Sequence, residues 1–234
     1  MGGDMDFMSM IDAMRFIQHE MMLVCVVFFT LGALDDLGFD VGYTFLRLTG
    51  KIGSARPVPD AKTPSPMATP HTQQRLAIFV PAWQEAEVIG PTVRRMQAAW
   101  GRDAYTIYIG CYRNDPDTIA ASLRGVAYPG QVAIVINPAH GPTTKGDCLN
   151  HLWAAMQREE LRGGFRYAGI VLHDAEDWVH GEELAVHRHY LPRHAMVQIP
   201  VVPFIPDTAA WVAGHYADEF TESHAKTLRV RHAM

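Results

Sequence analysis

The chain has 234 residues and a mass of 26.1 kDa, enough for one sizeable α/β domain with additions, since domains usually run to about 100–200 residues. Hydrophobic residues make up 48% and charged residues 19%, which is the composition of a core-burying protein and excludes disorder as the default reading. A formal net charge of -5 lacks the basic excess that a phosphate backbone demands, and this excludes nucleic acid as a partner.

From the N-terminus, residues 1–53 are expected to form a hydrophobic helix followed by an amphipathic segment. The run Met21–Leu34 is uncharged and apolar, bounded by Glu20 and Asp35. Alone it is short of the roughly 20 residues a spanning helix needs, so it reads either as a core helix or, with Met8–Phe16 as extra length, as a membrane helix. Asp4, Asp6 and Asp12 precede it and no small-x-small site follows, a poor fit to a secretory signal. If it spans, Arg47, Lys51, Arg56 and Lys62 mark the cytoplasmic side, and the C-terminal part lies in the cytoplasm.

Residues 54–73 hold five prolines and little apolar material, the composition of an extended linker. A domain boundary is expected there, with a single domain over 74–234. Cys25, Cys111 and Cys148 are widely spaced and form neither a CxxC pair nor a disulfide framework. They suit a reducing compartment and read as buried fillers.

After the linker, β-rich runs alternate with helical patterns. The runs are Leu76–Pro81, Tyr105–Cys111, Val132–Asn137 and Tyr167–His173. Nearly continuous apolar strands predict a parallel sheet covered on both faces. Helices are predicted over Glu87–Trp100, with Val88, Ile89, Val93, Met96 and Trp100 on one side, and over Gly146–Gln157, with Leu149, Leu152, Trp153 and Met156 inward. The expected architecture is a doubly wound α/β domain, in which ligands settle beyond the carboxyl ends of the strands.

The polar residues beyond each strand therefore carry the chemistry. The first strand ends in Pro81-Ala82-Trp83-Gln84-Glu85, where Glu87 fits a helix dipole well and Glu85 fits it only in part. The second delivers Asn114-Asp115-Pro116-Asp117-Thr118, a turn former in which Asp117 or Thr118 can cap a helix. After the third come Lys145, Gly146 and Asp147, without the GxxxxGK[ST] spacing of a P-loop. They suit either phosphate and base binding or a surface loop with a capping aspartate. Beyond the fourth, expected to be the central strand, stand Asp174, Glu176 and Asp177. Massing like charges there is costly unless a cation offsets it. Hard oxygen ligands suit Mg2+ or Mn2+, against the alternative of a solvated acidic turn.

Taken together, these residues resemble family 2 glycosyltransferases. VPAWQE, Val80–Glu85, is similar to that family's VPAxNE opening. TKGDCLN, Thr144–Asn150, is similar to its KAxALN element, and HDAED, His173–Asp177, to its DxD-type motif. The resemblance covers residues 76–202 and implies a GT-A fold: a Rossmann-like, mostly parallel sheet with helices on both faces, here preceded by the N-terminal hydrophobic helix. GCYRNDPDT, HDAED and Tyr216–Arg231 are nearest to bacterial inner-membrane members related to the cellulose-synthase-like enzymes. The cytoplasmic membrane is the implied location, with the GT-A domain in the cytoplasm.

The resemblance implies a nucleotide-sugar site of Pro81, Glu85, Asp115, Lys145, Asp147 and Asp174. Glu85 and Asp115 would lie near the nucleoside, and Asp147 near the uracil-ribose or diphosphate portion. Asp174 and Glu176 would hold Mn2+ or Mg2+. Glu176 departs from the commoner aspartate, and Asp177 is a substitute ligand. The implied reaction moves a sugar, with inversion, from a nucleotide-diphosphate donor such as a UDP-sugar to a carbohydrate or lipid-linked acceptor at the membrane. The family's base lies in a later TED-like motif, and processive members carry QxxRW. Neither motif occurs in this sequence, so no catalytic base is named and the domain is expected to be truncated at its C-terminal end.

Two rival readings remain. The 12 histidines raise a zinc hydrolase, but no HExxH or comparable cluster is present, and His187, Arg188 and His189 read as a solvated face. The other is a catalytically incomplete, membrane-associated nucleotide-binding or interaction module.

Overall fold

The computed structural model describes residues 3–51, 74–201, 203 and 210–233. The expected linker over 54–73 lies outside the described residues. In chain order the elements are α1 (Gly3–Leu48), β1 (Leu76–Pro81), α2 (Ile89–Trp100), β2 (Tyr105–Tyr112), α3 (Pro116–Gly125), β3 (Val132–Asn137), α4 (Lys145–Gly163), β4 (Gly169–Leu172), α5 (Glu183–Tyr190), α6 (Ala210–Thr221) and α7 (Leu228–Ala233). They fall into two compact units, Met1–Val58 with Gln198–Met234, and Pro59–Val197. The last segment, Gln198–Met234, clusters with the N-terminal helix.

In the α/β unit the sheet order is β3-β2-β1-β4, and every pairing is parallel. Leu76, Ile78 and Val80 of β1 and Tyr105, Ile107 and Ile109 of β2 point to one face, where they bury Ile89, Val93 and Met96 of α2, Ala121 of α3 and Leu184 of α5. Ala77, Phe79 and Tyr108 point to the other face and bury Leu152 and Met156 of α4. This alternation is the period-2 signature of a strand. With helices on both faces, the expected α/β architecture is observed.

Several local expectations change. Among the described strands the fourth is an edge strand beside β1, not a central one. It is regular only over Gly169–Leu172, although Ala168 N–H to the Arg75 carbonyl at 2.8 Å and His173 N–H to the Phe79 carbonyl at 3.0 Å extend its pairing. Trp153, expected inward, is exposed. His187 and Arg188 are buried rather than solvated. The Arg188 guanidinium reaches Asp103 Oδ2 at 2.6 Å and the carbonyls of Gln74 at 2.9 Å and Ala104 at 2.8 Å. A buried arginine satisfied this fully ties α5 to the chain entering β1 and β2.

The other unit opens with α1, an unbroken helix of 46 residues. At about 1.5 Å per residue this is roughly 69 Å, over twice the ~30 Å hydrocarbon thickness of a bilayer. Its portion Met10–Leu48 is long and apolar enough to cross a membrane, and Phe16, Phe28, Phe29 and Leu31 are exposed on it. Cys25 sits there and is exposed, against the filler role expected of all three cysteines, whereas Cys111 and Cys148 are buried. Later in this unit a π-helical stretch, Glu222–Thr227, joins α6 to α7. Lys226 pairs with both Asp40 and Glu222, and the Arg231 guanidinium stacks 5.5 Å from the Phe39 ring centroid.

Candidate functional site at the strand ends

Beyond Pro81 the chain must turn sharply out of the sheet. Ala82 N–H still bonds to the Gly110 carbonyl at 2.8 Å, and Gln84 then adopts φ 57, a left-handed conformation costing an L-residue roughly 1–2 kcal/mol. Two bonds from the next crossover hold it there. Gln84 N–H donates to Asp115 Oδ2 at 2.6 Å, and Glu85 N–H donates to Thr118 Oγ1 at 2.9 Å. Asp115 also caps α3, accepting from Thr118 N–H at 3.3 Å. Both of its oxygens thus serve backbone, and Asp115, at 7% exposure, clasps the turn that presents Glu85.

A cleft of about 280 Å³ opens here, lined by Pro81, Ala82, Trp83, Glu85, Tyr112, Thr143, Lys145, Cys148, Asp174, Ala175 and Glu176. Of the sequence-derived residues, Pro81, Glu85, Lys145, Asp174 and Glu176 meet in it. Burial raises the Glu85 carboxyl above its ordinary pKa, and the charges of Glu176, Asp174 and Asp115 raise it further. Glu85, Asp174 and Glu176 thus face one cleft, where the other two charges act on Glu85. Lys145 Nζ, at the start of α4, forms an ion pair with Asp174.

Asp115, Asp147 and Asp177 do not line the cleft. Asp147 Oδ2 accepts from Asn137 Nδ2 at 2.9 Å; this bond, then one with Thr143, lowers the Asp147 pKa. The helix cap, which one of the two readings of this loop gave to Asp147, is Thr144, whose Oγ1 accepts from the Asp147 N–H at 3.1 Å. Asp177 turns away to His173 Nδ1 at 3.0 Å, and His173 Nε2 faces Glu183 Oε1 at 2.8 Å. Burial alone would depress His173, but the bonds to Asp177 and Glu183 carry it up to about 9. Burial likewise opposes ionisation of Glu183, yet His173 and then His187 bring it down to about 2.

Sequence reasoning missed the aromatic wall. Trp83 and Tyr112 meet edge to face with centroids 5.2 Å apart, and Tyr112 Oη lies 2.8 Å from Thr143 Oγ1. A side chain at Gly141 would collide with the Trp83 ring, so the loop there passes flush against the indole. The available signal was a large aromatic immediately past a strand end. A larger groove of about 560 Å³ between α2 and α3 is lined by Arg94, Arg95 and Arg124 but carries none of these carboxylates.

Among the described residues, no group of three or more His, Cys, Asp or Glu side chains is gathered as a metal cage. Arrangements of one or two carboxylates are what Mg2+-type ions use when water and phosphate complete the shell.

The chain matches the family described as "Glycosyltransferase like family 2" over residues 73–234. It is 36% identical over 211 residues to "Bacteriophage adsorption protein B" of Escherichia coli (strain K12), and equally to "Bacteriophage N4 adsorption protein B" of Escherichia coli O157:H7. These matches take in 90% of this chain but only 28% of either relative's length. No solved structure matches the chain. With its parallel α/β sheet and strand-end cleft, the chain belongs to the glycosyltransferase-like family 2.

Proposed function

We propose that the strand-end cleft binds the diphosphate of a nucleotide-sugar donor, such as a UDP-sugar, through Mn2+ or Mg2+ held by Asp174 and Glu176. The reaction served is sugar transfer, with inversion, to a carbohydrate or lipid-linked acceptor. The observation that carries this reading is the convergence of Glu85, Asp174, Glu176 and Lys145 on one cleft from three separate segments of the chain. The donor set fits a hard divalent ion: carboxylate oxygens, an exposed approach, and mutual repulsion at Glu85 that a cation would relieve.

When bound, the ion supplies charge neutralisation for a departing nucleoside diphosphate. The chain's own groups do the rest. Lys145, released from Asp174, is a cation within reach of phosphate. Trp83 and Tyr112 provide a π-surface for a planar base, and Glu85 a carboxylate beside it.

Among the described residues one helix is fit to cross a membrane, and Arg47 in its last turn with Lys51, Arg56 and Lys62 after it supports a bacterial inner-membrane location with the α/β unit on the cytoplasmic side. The two relatives are named for bacteriophage adsorption, and neither a TED-like nor a QxxRW motif occurs in this sequence; the second reading is therefore a membrane-associated interaction module that binds donor without transferring it.

Calorimetry of UDP with Mn2+ on wild type, Asp174→Asn and Glu176→Gln tests the site. Loss of metal-dependent affinity in both variants is expected, and unchanged affinity in both sinks the reading. Labelled UDP-sugar then separates the two functions: turnover marks the enzyme, and binding without turnover marks the module.

A further inference from the structure

The fold separates Asp174 and Glu176, which line the cleft, from Asp177, which does not and is bonded to His173. We propose that Asp177, His173 and Glu183 are positioning residues: they form a strut from α5 that holds the acidic turn, and Asp177 acts as its backbone clasp rather than as a third cation ligand. This rests on the reading that Asp174 and Glu176 hold a cation and diphosphate.

Asp177 Oδ2 accepts from Asp174 N–H at 2.9 Å and meets His173 Nδ1 at 3.0 Å. Asp177 N–H closes back onto the Asp174 carbonyl at 3.2 Å. Across the ring, His173 Nε2 meets Glu183 Oε1 at 2.8 Å, and His187 Nε2 stands 3.7 Å from that same oxygen. The side chains of His173 and Glu183 are 10% and 11% exposed, and the imidazole leans on Trp100 with centroids 6.1 Å apart. His173 N–H is also a last rung to β1, donating to the Phe79 carbonyl at 3.0 Å.

The acidic turn is therefore anchored at the back by the sheet and by α5, while Asp174, Ala175 and Glu176 form its cleft side. With one oxygen already serving two donors and the side chain directed at His173, Asp177 is spent on geometry. Groups that orient metal-binding side chains typically change metal affinity about 10- to 100-fold when removed, because ligands must be held to within roughly 0.5 Å.

The test compares Mn2+-dependent UDP affinity in the full chain for wild type, Asp177→Asn, Asp177→Ala and His173→Gln, with melting temperatures recorded alongside. Asparagine keeps an acceptor oxygen for both Asp174 N–H and His173, so Asp177→Asn is expected to stay near wild type. Asp177→Ala is expected to lose about 10- to 100-fold, and His173→Gln to fall between them. Equal loss in Asp177→Asn and Asp177→Ala would make Asp177 a charged ligand and overturn the proposal; wild-type affinity in Asp177→Ala overturns it too.

If Asp177→Ala does not fold, amide exchange on wild type decides: the Asp174 N–H is expected to be protected, and open-chain exchange overturns the clasp. Absence of Mn2+-dependent UDP binding in wild type defeats the donor-site reading instead. The strut is then judged by Asp174 amide protection in wild type against His173→Gln, where equal protection overturns it.

Discussion

Lys145 and Asp174, 29 residues apart in sequence, are joined as an ion pair at the mouth of the strand-end cleft. Both side chains are more than half exposed, so the pair is easily exchanged for other partners: exposed pairs are worth about 0.2–1 kcal/mol. Removing the ammonium should therefore have opposite effects on two ligands. Lys145→Met is expected to bind Mn2+ alone about 1.4- to 5-fold more tightly, because Asp174 loses a competing cation. UDP affinity should weaken, because a phosphate partner is gone. Electron paramagnetic resonance for Mn2+ and calorimetry for UDP check this, and movement of both affinities in one direction contradicts it.

The turn after β1 is held from behind, so its defects should appear as instability. Asp115→Ala removes a helix cap and the acceptor for Gln84 N–H, and a loss of about 1–3 kcal/mol is expected. Gln84→Gly relieves φ 57 and should be neutral or stabilising by up to about 1 kcal/mol, since glycine's chain entropy offsets part of the gain. Gln84→Val should destabilise. Thermal unfolding of the three variants against wild type measures the order.

His173 and Glu183 predict a window of pH for the stability they supply. His173 is raised from 6.5 to about 9 when folded, so its contribution is complete below pH 6.5 and disappears as pH rises through 9. Glu183 is lowered from 4.5 to about 2, so its contribution is complete above pH 4.5 and disappears as pH falls through 2. The stability gap between wild type and His173→Gln should be widest between these limits and shrink on the alkaline side. A gap that grows from pH 7 to pH 10 would contradict the assignment.

Thiol chemistry should separate the cysteines. Burial pushes the Cys111 thiol up to about 11 and also raises Cys148, while Cys25 is exposed. In a titration with a micelle-permeant maleimide, Cys25 is expected to label in the folded chain, with Cys111 and Cys148 appearing only on denaturation. Fast labelling of Cys111 would contradict the packing between β2 and its neighbours.

The central sheet was legible because its strands carry little but apolar residues. The limits of β1 and β3 follow from the residues alone, and the lysine and carboxylates of the cleft were found by looking just past each strand. What remained hidden depended on contacts distant in sequence. Arg188 looks like a solvated residue until Asp103 is placed beside it, 85 positions away. Asp115 and Asp177 carry the same functional group as Asp174, and only the backbone N–H groups that claim them distinguish support from cleft wall. Trp83 gave no periodic signal, since its neighbours belong to a loop. The length of α1 was underestimated because Asp35, Asp36 and Asp40 end the apolar run without breaking the helix.

The position of β4 bears on how the cleft comes into being. Its only neighbour among the described strands is β1, in register from Leu76 with Gly169 to Phe79 with Leu172, so Glu85 and Asp174 become neighbours only after the chain has closed a loop of some ninety residues. Closures of that reach are slow relative to local ones. A short rim strand is also a natural place for local opening. Any ligand bridging the two sides would draw its binding energy into this junction, so amide exchange along Gly169–Leu172 should slow when nucleotide and ion are added, before the interior of β2 responds.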